Sequence, residues 1–287
     1  MAEASQSESW VVEDIGEGAR FSLLESELLQ ERQTAFQRLR LFANPTFGKV
    51  LMLDDIFQTS ERDEGSYHEM LVHLPMLTLG AVRRVLIIGG GDGGTLRHVL
   101  LHPSVEAVTL VELDPEVIEF SREHLGALCG QAFEDPRVSV TIADGARFVQ
   151  ETDERYDLIL VDSTDPVGPG KVLFSAAFYA DCKRCLAEGG AVVTQNAVPF
   201  SFPEALSEPV EALRQSFKDV APYVTTVPLF AVGPMVFCWA SDGPARQNAD
   251  LETLRQRFAA LEFEAYYYTP ELHLAAFALP AYIARLV

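Results

Sequence analysis

Five short apolar runs punctuate the middle of the chain: Val85–Ile88, Ala107–Val111, Val138–Ile142, Tyr156–Val161 and Ala191–Thr194. Their length and β-branched content suit strands buried on both faces. The stretches between them carry helical spacing, over Thr95–Leu101, from Asp114-Pro115 with Val117, Ile118 and Leu125 on one face, over Ala146–Glu151 and over Phe174–Leu186, with Glu188-Gly189-Gly190 as a glycine stop. Leu206–Phe217 and Asp250–Leu261 read as further helices, and Glu271–Val287 as a helical close broken by Pro280. Two apolar runs between Tyr223 and Ala240 flank Ala231-Val232-Gly233-Pro234 and predict an antiparallel pair, while Ala265–Thr269 reads as strand-like. Strand–helix alternation ending in a hairpin predicts a doubly wound, mainly parallel sheet.

Ahead of this region the pattern is different. Arg20–Leu24, Phe36–Phe42, Lys49–Leu53 and Ile56–Thr59 are short alternating pieces separated by Gly16/Gly18, Asn44-Pro45, Gly48 and Asp54-Asp55. They predict a small antiparallel β domain over residues 1–60, frayed over residues 1–9, that packs on the larger unit 61–287 or against a second subunit. A helix then begins with Ser60 as its cap, with Met70, Leu71, Leu74 and Leu77 as its buried stripe, and Pro75 kinks it or starts a second segment.

The net charge of −20 opposes affinity for nucleic acid or an anionic membrane and favours a cationic substrate. No apolar run reaches membrane-spanning length, and MAEASQSESW has no apolar signal core, so the expected location is the cytoplasm. Four cysteines do not make a disulfide framework in 287 residues, and Cys182-x-x-Cys185 reads as packing within a helix.

The densest chemistry follows the first of the five strands. Gly89-x-Gly91-x-x-Gly94 satisfies a dinucleotide fingerprint, but Asp92 would face the pyrophosphate such a loop cradles. A carboxylate there suits a ligand bearing sulfonium or ammonium charge. Acids recur at successive strand ends as Asp92, Glu112, Asp144 and Asp162, with Asp165 close behind, and in an open parallel sheet those ends share one crevice. Glu112 can accept from ribose hydroxyls, Asp144 from the exocyclic amine of adenine, and Asp92 can meet a charged tail. Asp162 and Asp165 can together bind an ammonium group or take its proton; a divalent metal is the alternative use of the pair. Tyr67 and His68 reach a second substrate if their helix lies over the crevice.

Together these residues resemble the spermidine synthases, more broadly the aminopropyltransferases. The resemblance rests on Leu53-Asp54-Asp55, Gln58-Thr59-Ser60-Glu61-Arg62-Asp63-Glu64, Tyr67-His68-Glu69-Met70, Gly89 to Gly94, Val111-Glu112-Leu113-Asp114, Asp144-Gly145, Asp162 to Pro169, Gln195-Asn196 and Ala275 to Pro280. It implies a methyltransferase-like (Rossmann-like) α/β domain behind an N-terminal β domain, assembled as a homodimer or homotetramer. The implied reaction moves the aminopropyl group of decarboxylated S-adenosylmethionine, a co-substrate, onto an amine, commonly putrescine, giving spermidine and 5′-methylthioadenosine without metal or prosthetic group.

By the same resemblance Asp162 is the general base, and Tyr67, His68 and Asp165 bind the amine. Gln37 and Asp92 hold the donor's aminopropyl end, Glu112, Asp144 and Gly145 its nucleoside, and Pro169 lies in the loop over the site. Two departures bear on the acceptor. The family usually has a large aromatic where this chain has Gly65, and Thr-Tyr where it has Leu229-Phe230. Phe230 is therefore counted with the acceptor site, and a roomier pocket admitting cadaverine, agmatine or spermidine is the alternative to putrescine. A methyltransferase using ordinary S-adenosylmethionine and a non-enzymatic binding module are the rival classes.

Overall fold

The structure, a computed structural model, describes residues 9–164 and 168–287. Residues 1–8 and Asp165, Pro166 and Val167 lie outside the described residues.

Six strands come first. β1 (Ser9–Asp14) and β2 (Arg20–Glu25) form an antiparallel ribbon; β3 (Glu27–Gln33), β4 (Arg38–Asn44), β5 (Gly48–Leu53) and β6 (Ile56–Ser60) form a four-stranded antiparallel meander. β1 and β3, which carry no clear apolar alternation, were not anticipated. The β5–β6 turn is the two-residue Asp54-Asp55 pair, both at positive φ, as a hairpin turn matched to strand twist requires.

The helix α1 (Glu64–Leu79) follows, and here three expectations need correction. Its cap position is Asp63, not Ser60; Ser60 donates to the Asp63 side chain, which also accepts from the Leu229 amide at 2.7 Å. It continues through Pro75 as one helix, so no second segment starts there. The apolar stripe is too narrow a description, since 13 of its 16 residues are buried, including His68, Glu69 and His73. The C-terminal part of the chain covers the side that an amphipathic helix would show to water. Glu69 accepts from the backbone amides of Tyr266, Tyr267 and Tyr268 at 2.7, 2.8 and 2.7 Å, which clamps that segment onto α1 as irregular chain, not the expected strand.

The large sheet has the order β12-β13-β11-β10-β7-β8-β9. Its parallel part comprises β7 (Arg84–Gly89), β8 (Ala107–Glu112), β9 (Val138–Ile142), β10 (Tyr156–Asp162) and β11 (Leu186–Gln195). β12 (Asp219–Thr225) and β13 (Met235–Ser241) add the expected antiparallel end. Helices α2 (Gly94–Leu100), α3 (Pro115–His124), α4 (Gly126–Cys129), α5 (Gly145–Glu151), α6 (Ala176–Arg184) and α7 (Glu204–Arg214) connect the strands, and α8 (Ala245–Asn248), α9 (Leu251–Ala259), α10 (Pro270–Ala275) and α11 (Ala281–Ala284) close the chain. The glycines at 189 and 190 do not stop a helix: α6 ends at Arg184 and both glycines lie within β11.

Alternation along the strands explains the layering. Val85, Ile87, Leu158, Leu160 and Val193 face one way, against α1, α2 and the N-terminal strands; Leu86, Ile88, Ile159, Val161 and Val192 face the other, against α5, α6 and α7. Strand order reverses between β7 and β10, which pair in parallel with Asp162 opposite Gly89. A crevice opens beyond the carboxyl ends at such a reversal. All four cysteines are free and buried.

Candidate active site

The cleft at this switch point measures about 570 Å³. The sheet supplies its floor through Gly89 to Asp92, Glu112, Asp144-Gly145 and Asp162; α1 brings Tyr67 and His68; the N-terminal strands add Gln37, Leu53, Phe57 and Gln58. Phe202, Phe230, Val232 and Met235 form an apolar wall. No Lys or Arg is among the described residues that line it.

Asp162 ends β10 with both carboxylate oxygens held: Tyr67 Oη donates at 2.7 Å to Oδ1, and Thr95 Oγ1 at 2.6 Å to Oδ2. Burial, then the nearby charge of Asp92, push its carboxyl above the usual carboxylate range, against the opposing pull of His68 and the two hydroxyls. Two neighbours fix the turn that follows. The Gln195 amide donates to the Ser163 carbonyl at 2.9 Å, and a Cβ on Gly89 would fall on the Asp162 carbonyl, so only glycine lets the two strand ends approach this closely.

Asp92, in the glycine turn, has a contrasting environment. Its Oδ1 accepts from the Gly94 amide at 2.9 Å and its Oδ2 lies 3.4 Å from His68 Nε2. Burial works to raise its carboxyl, but the charge of His68 and the bond to it prevail and hold it below the ordinary range. His68 is buried, and its Nδ1 lies 2.8 Å from Glu64 Oε2. Burial alone would lower the ring, yet Asp92 and Glu64 together raise it well above an ordinary imidazole. His68, Asp92 and Asp162 each bring a donor atom within 4.8 Å of the others. Both ring nitrogens of His68 already face carboxylates, so the cluster is built as a hydrogen-bonded network.

At the other end of the cleft, Glu112 Oε1 accepts from the Asp114 amide at 3.0 Å. A Cβ on Gly91 would stand 2.8 Å from Glu112 Oε2, so this glycine makes room for a protein carboxylate. Burial pushes Glu112 up to about 7. Gln37 donates to Asp114 Oδ2 at 3.2 Å, which places it on this Glu112 side. Asp144 caps α5, accepting from the amides of Ala146 and Arg147, and Gly145 is required because a Cβ there would run into Ile88.

Of the residues singled out in the sequence, the structure brings together Gln37, Tyr67, His68, Asp92, Glu112, Asp144, Gly145, Asp162 and Phe230 around one cleft. Asp165 lies outside the described residues, as does the side chain of Pro169. Gly65 is a correction. It does not widen the cleft, because the side chain of Tyr266 fills the space beside it; a Cβ on Gly65 would sit 3.1 Å from Tyr266 Cβ and 3.3 Å from Glu69 Oε1. The expectation of a roomier acceptor pocket therefore rests on Leu229 and Phe230, which both line the cleft; the Phe230 ring stands edge-on to Tyr67 at 6.4 Å. Sequence reasoning missed Thr95, Glu64 and Arg97. The i,i+4 spacing of Glu64 and His68 was the one signal available for them.

Comparison with known proteins agrees with this geometry. Residues 64–250 match the model of the Spermine/spermidine synthase domain, and residues 9–61 that of the Spermidine synthase tetramerisation domain. A polyamine aminopropyltransferase of Ruegeria sp. (strain TM1040) is 49% identical over 279 residues, 97% of this chain and 98% of that protein. Polyamine aminopropyltransferase 1 of Pseudomonas aeruginosa is 47% identical, covering 95% and 94%. Among solved structures, a spermidine synthase in complex with the transition state analogue AdoDATO superimposes with a TM-score of 0.93 at 35% identity over 98% of this chain and 95% of that one. The spermidine synthase of Thermotoga maritima gives 0.90 at 34%, over 98% and 94%.

Proposed function

The chain belongs to the spermine/spermidine synthase family and is a polyamine aminopropyltransferase, and from that premise we propose how its residues divide the work. The donor is decarboxylated S-adenosylmethionine and the acceptor putrescine, giving spermidine and 5′-methylthioadenosine. Glu112 receives the ribose hydroxyls, and Gln37, expected at the aminopropyl end, is reassigned beside it because its amide bonds Asp114; Asp144 and the Gly145 backbone meet the adenine. Asp92 takes the ammonium at the end of the aminopropyl group.

Asp162 acts as general base. The amine nitrogen attacks the propyl carbon next to sulfonium; the C–N bond forms as the C–S bond breaks, and sulfur leaves as a neutral thioether. The proton shed by nitrogen passes to Asp162, whose raised proton affinity suits the task. Because the leaving group departs uncharged, the site needs in-line orientation of a neutral nitrogen more than acid assistance. Tyr67 and Thr95 fix the plane of the accepting carboxylate, and Asp165 joins Asp162 around the amine.

The observation that carries the reading is the buried Asp162 carboxylate, aimed by two hydroxyls into a cleft whose described lining has no Lys or Arg. Such a lining suits a donor without a carboxylate. A methyltransferase binding ordinary S-adenosylmethionine would need a cation for it. The test offers decarboxylated and ordinary S-adenosylmethionine side by side with a panel of amines and identifies products by mass spectrometry. Spermidine from putrescine with the decarboxylated donor supports the reading; methylated products from the ordinary donor would overturn it, and preference for cadaverine, agmatine or spermidine would move the acceptor assignment.

Residues 1–60 serve assembly as well as one cleft wall, and 61–287 carry catalysis. Trp10, Val12, Leu28 and Leu29 leave apolar surface exposed on the N-terminal strands, which fits a homodimer or homotetramer built through them. No helix of the described residues is long and apolar enough to cross a membrane. The four free cysteines support a cytoplasmic location.

A further inference from the structure

Behind Asp92 a row of partly buried charges runs away from the cleft. His68 Nε2 faces Asp92 Oδ2 at 3.4 Å and its Nδ1 faces Glu64 Oε2 at 2.8 Å. Glu64 Oε1 in turn accepts from Arg97 Nη2 at 2.6 Å, and Arg97 Nε donates to the Leu128 carbonyl at 2.5 Å. A carboxylate offers only lone pairs, so a ring wedged between two of them is satisfied only with an N–H on each side. The row then alternates in sign from Arg97 through Glu64 and His68 to Asp92. Gly94 admits it, because a Cβ there would land on the His68 ring.

The groups facing His68 come from three other elements besides its own. Glu64 precedes it on α1, with Tyr67 beside it; Asp92 comes from the glycine turn and Asp162 from β10; His98 and Arg97 come from α2. His98 Nε2 lies 3.0 Å from Arg97 Nη2 and 3.5 Å from Glu64 Oε2, its Nδ1 lies 3.0 Å from His73 Nε2, and His73 continues to His102 at 2.8 Å. Burial first, then neighbouring histidines, push His73 well below an ordinary imidazole and His102 down to about 4, while burial and the Arg97 charge lower His98 against the opposing pull of Glu64. His68 is the imidazolium of the group, and its neighbours leave Glu64 as its anchor.

We propose that Glu64 is a positioning residue of the transfer: acting through a doubly protonated His68 ring, it fixes the Asp92 carboxylate at the aminopropyl end of the cleft. The consequence for the reaction rests on the assignment of Asp92 to the donor ammonium; the state of the ring does not. Glu64→Gln keeps the shape and removes the charge. Losing a charged hydrogen bond of this kind is expected to raise donor KM about 10-fold while kcat changes less than about 3-fold. Donor affinity should also fall at a lower pH than in the parent, as the buried ring then holds its proton with Asp92 as its one carboxylate partner. Glu64→Asp should restore part of the donor affinity.

Histidine-selective ¹⁵N labelling of the intact protein, with the His68 signal identified by its loss in His68→Asn, reads the ring directly and needs no folded Glu64 variant. Two protonated ring nitrogens at pH 8 support the proposal. A single protonated nitrogen there overturns it, as does a folded Glu64→Gln protein with unchanged donor KM and pH profile. If Asp92→Asn left donor affinity unchanged while the ring stayed doubly protonated, the assignment of Asp92 would fail and the anchoring of His68 would stand.

Discussion

The two sides of the switch point carry one buried carboxylate each, and they have been driven apart. At the end of β10, Asp162 is held by neutral hydroxyls, and burial leaves it with raised proton affinity. In the glycine turn after β7, Asp92 is just as enclosed, yet the charge of His68 keeps it ionised. One carboxylate is prepared to accept a proton and the other to keep its charge and hold a cation. Identical side chains in one cleft thus acquire different work from their partners.

The strongest way to break this contrast is Asp162→Asn. Turnover is expected to fall about 10²- to 10⁴-fold, the usual range for a lost general base, with donor Kd from equilibrium dialysis within about 3-fold of the parent. Asp92→Asn should do the reverse, weakening donor binding about 10- to 100-fold by calorimetry, since a charge-assisted contact to ammonium is lost, with a smaller effect on kcat. Exchange of these two phenotypes would invert the assignment.

A third measurement uses pH. Glu112 stands at about 7 in the folded protein, against 4.5 for an ordinary glutamate. Its raised value means that stability is lost as pH climbs from the ordinary range toward 7, since the unfolded group ionises there while the buried one keeps its proton. Ribose hydroxyls and a cationic donor favour the ionised form, so donor binding should release protons below pH 7, and affinity should fall by up to about 10-fold per pH unit of acidification. Calorimetry in buffers of different ionisation enthalpy measures that release. Thr95→Val tests the hydroxyl clamp on Asp162; a loss of about 10-fold in kcat at unchanged donor Kd is expected from one charged hydrogen bond. Phe230→Tyr is the mildest probe, expected to shift relative kcat/KM across amines by about 3-fold as one hydroxyl is added to the acceptor wall.

The contrast also marks what the sequence could reveal. The five parallel strands were legible because runs such as Val85–Ile88 are apolar on both faces, and Asp162 and Glu112 because they stand at strand ends. α1 was only half legible. Its polar residues His68, Glu69 and His73 have partners from Asp92, from the amides of 266–268 and from His98, all distant in sequence, so helical spacing alone describes a stripe where the helix is buried nearly all round. Gly65 misled for the same reason. An absent side chain looks like space until Tyr266 is found beside it. The glycine turn was recognised as a ligand loop, but Gly91 and Gly94 make room for Glu112 and His68. Spacing cannot distinguish a gap left for a ligand from one left for a neighbouring side chain.

The most direct test of the division between the two carboxylates is a crystal structure with a non-reactive donor analogue and putrescine bound together. The account expects the attacking nitrogen within hydrogen-bond distance of Asp162, in line with the bond from sulfur to the propyl carbon, and the donor's ammonium on Asp92. An attacking nitrogen seated on Asp92, or a nucleoside bound away from Glu112, would contradict it.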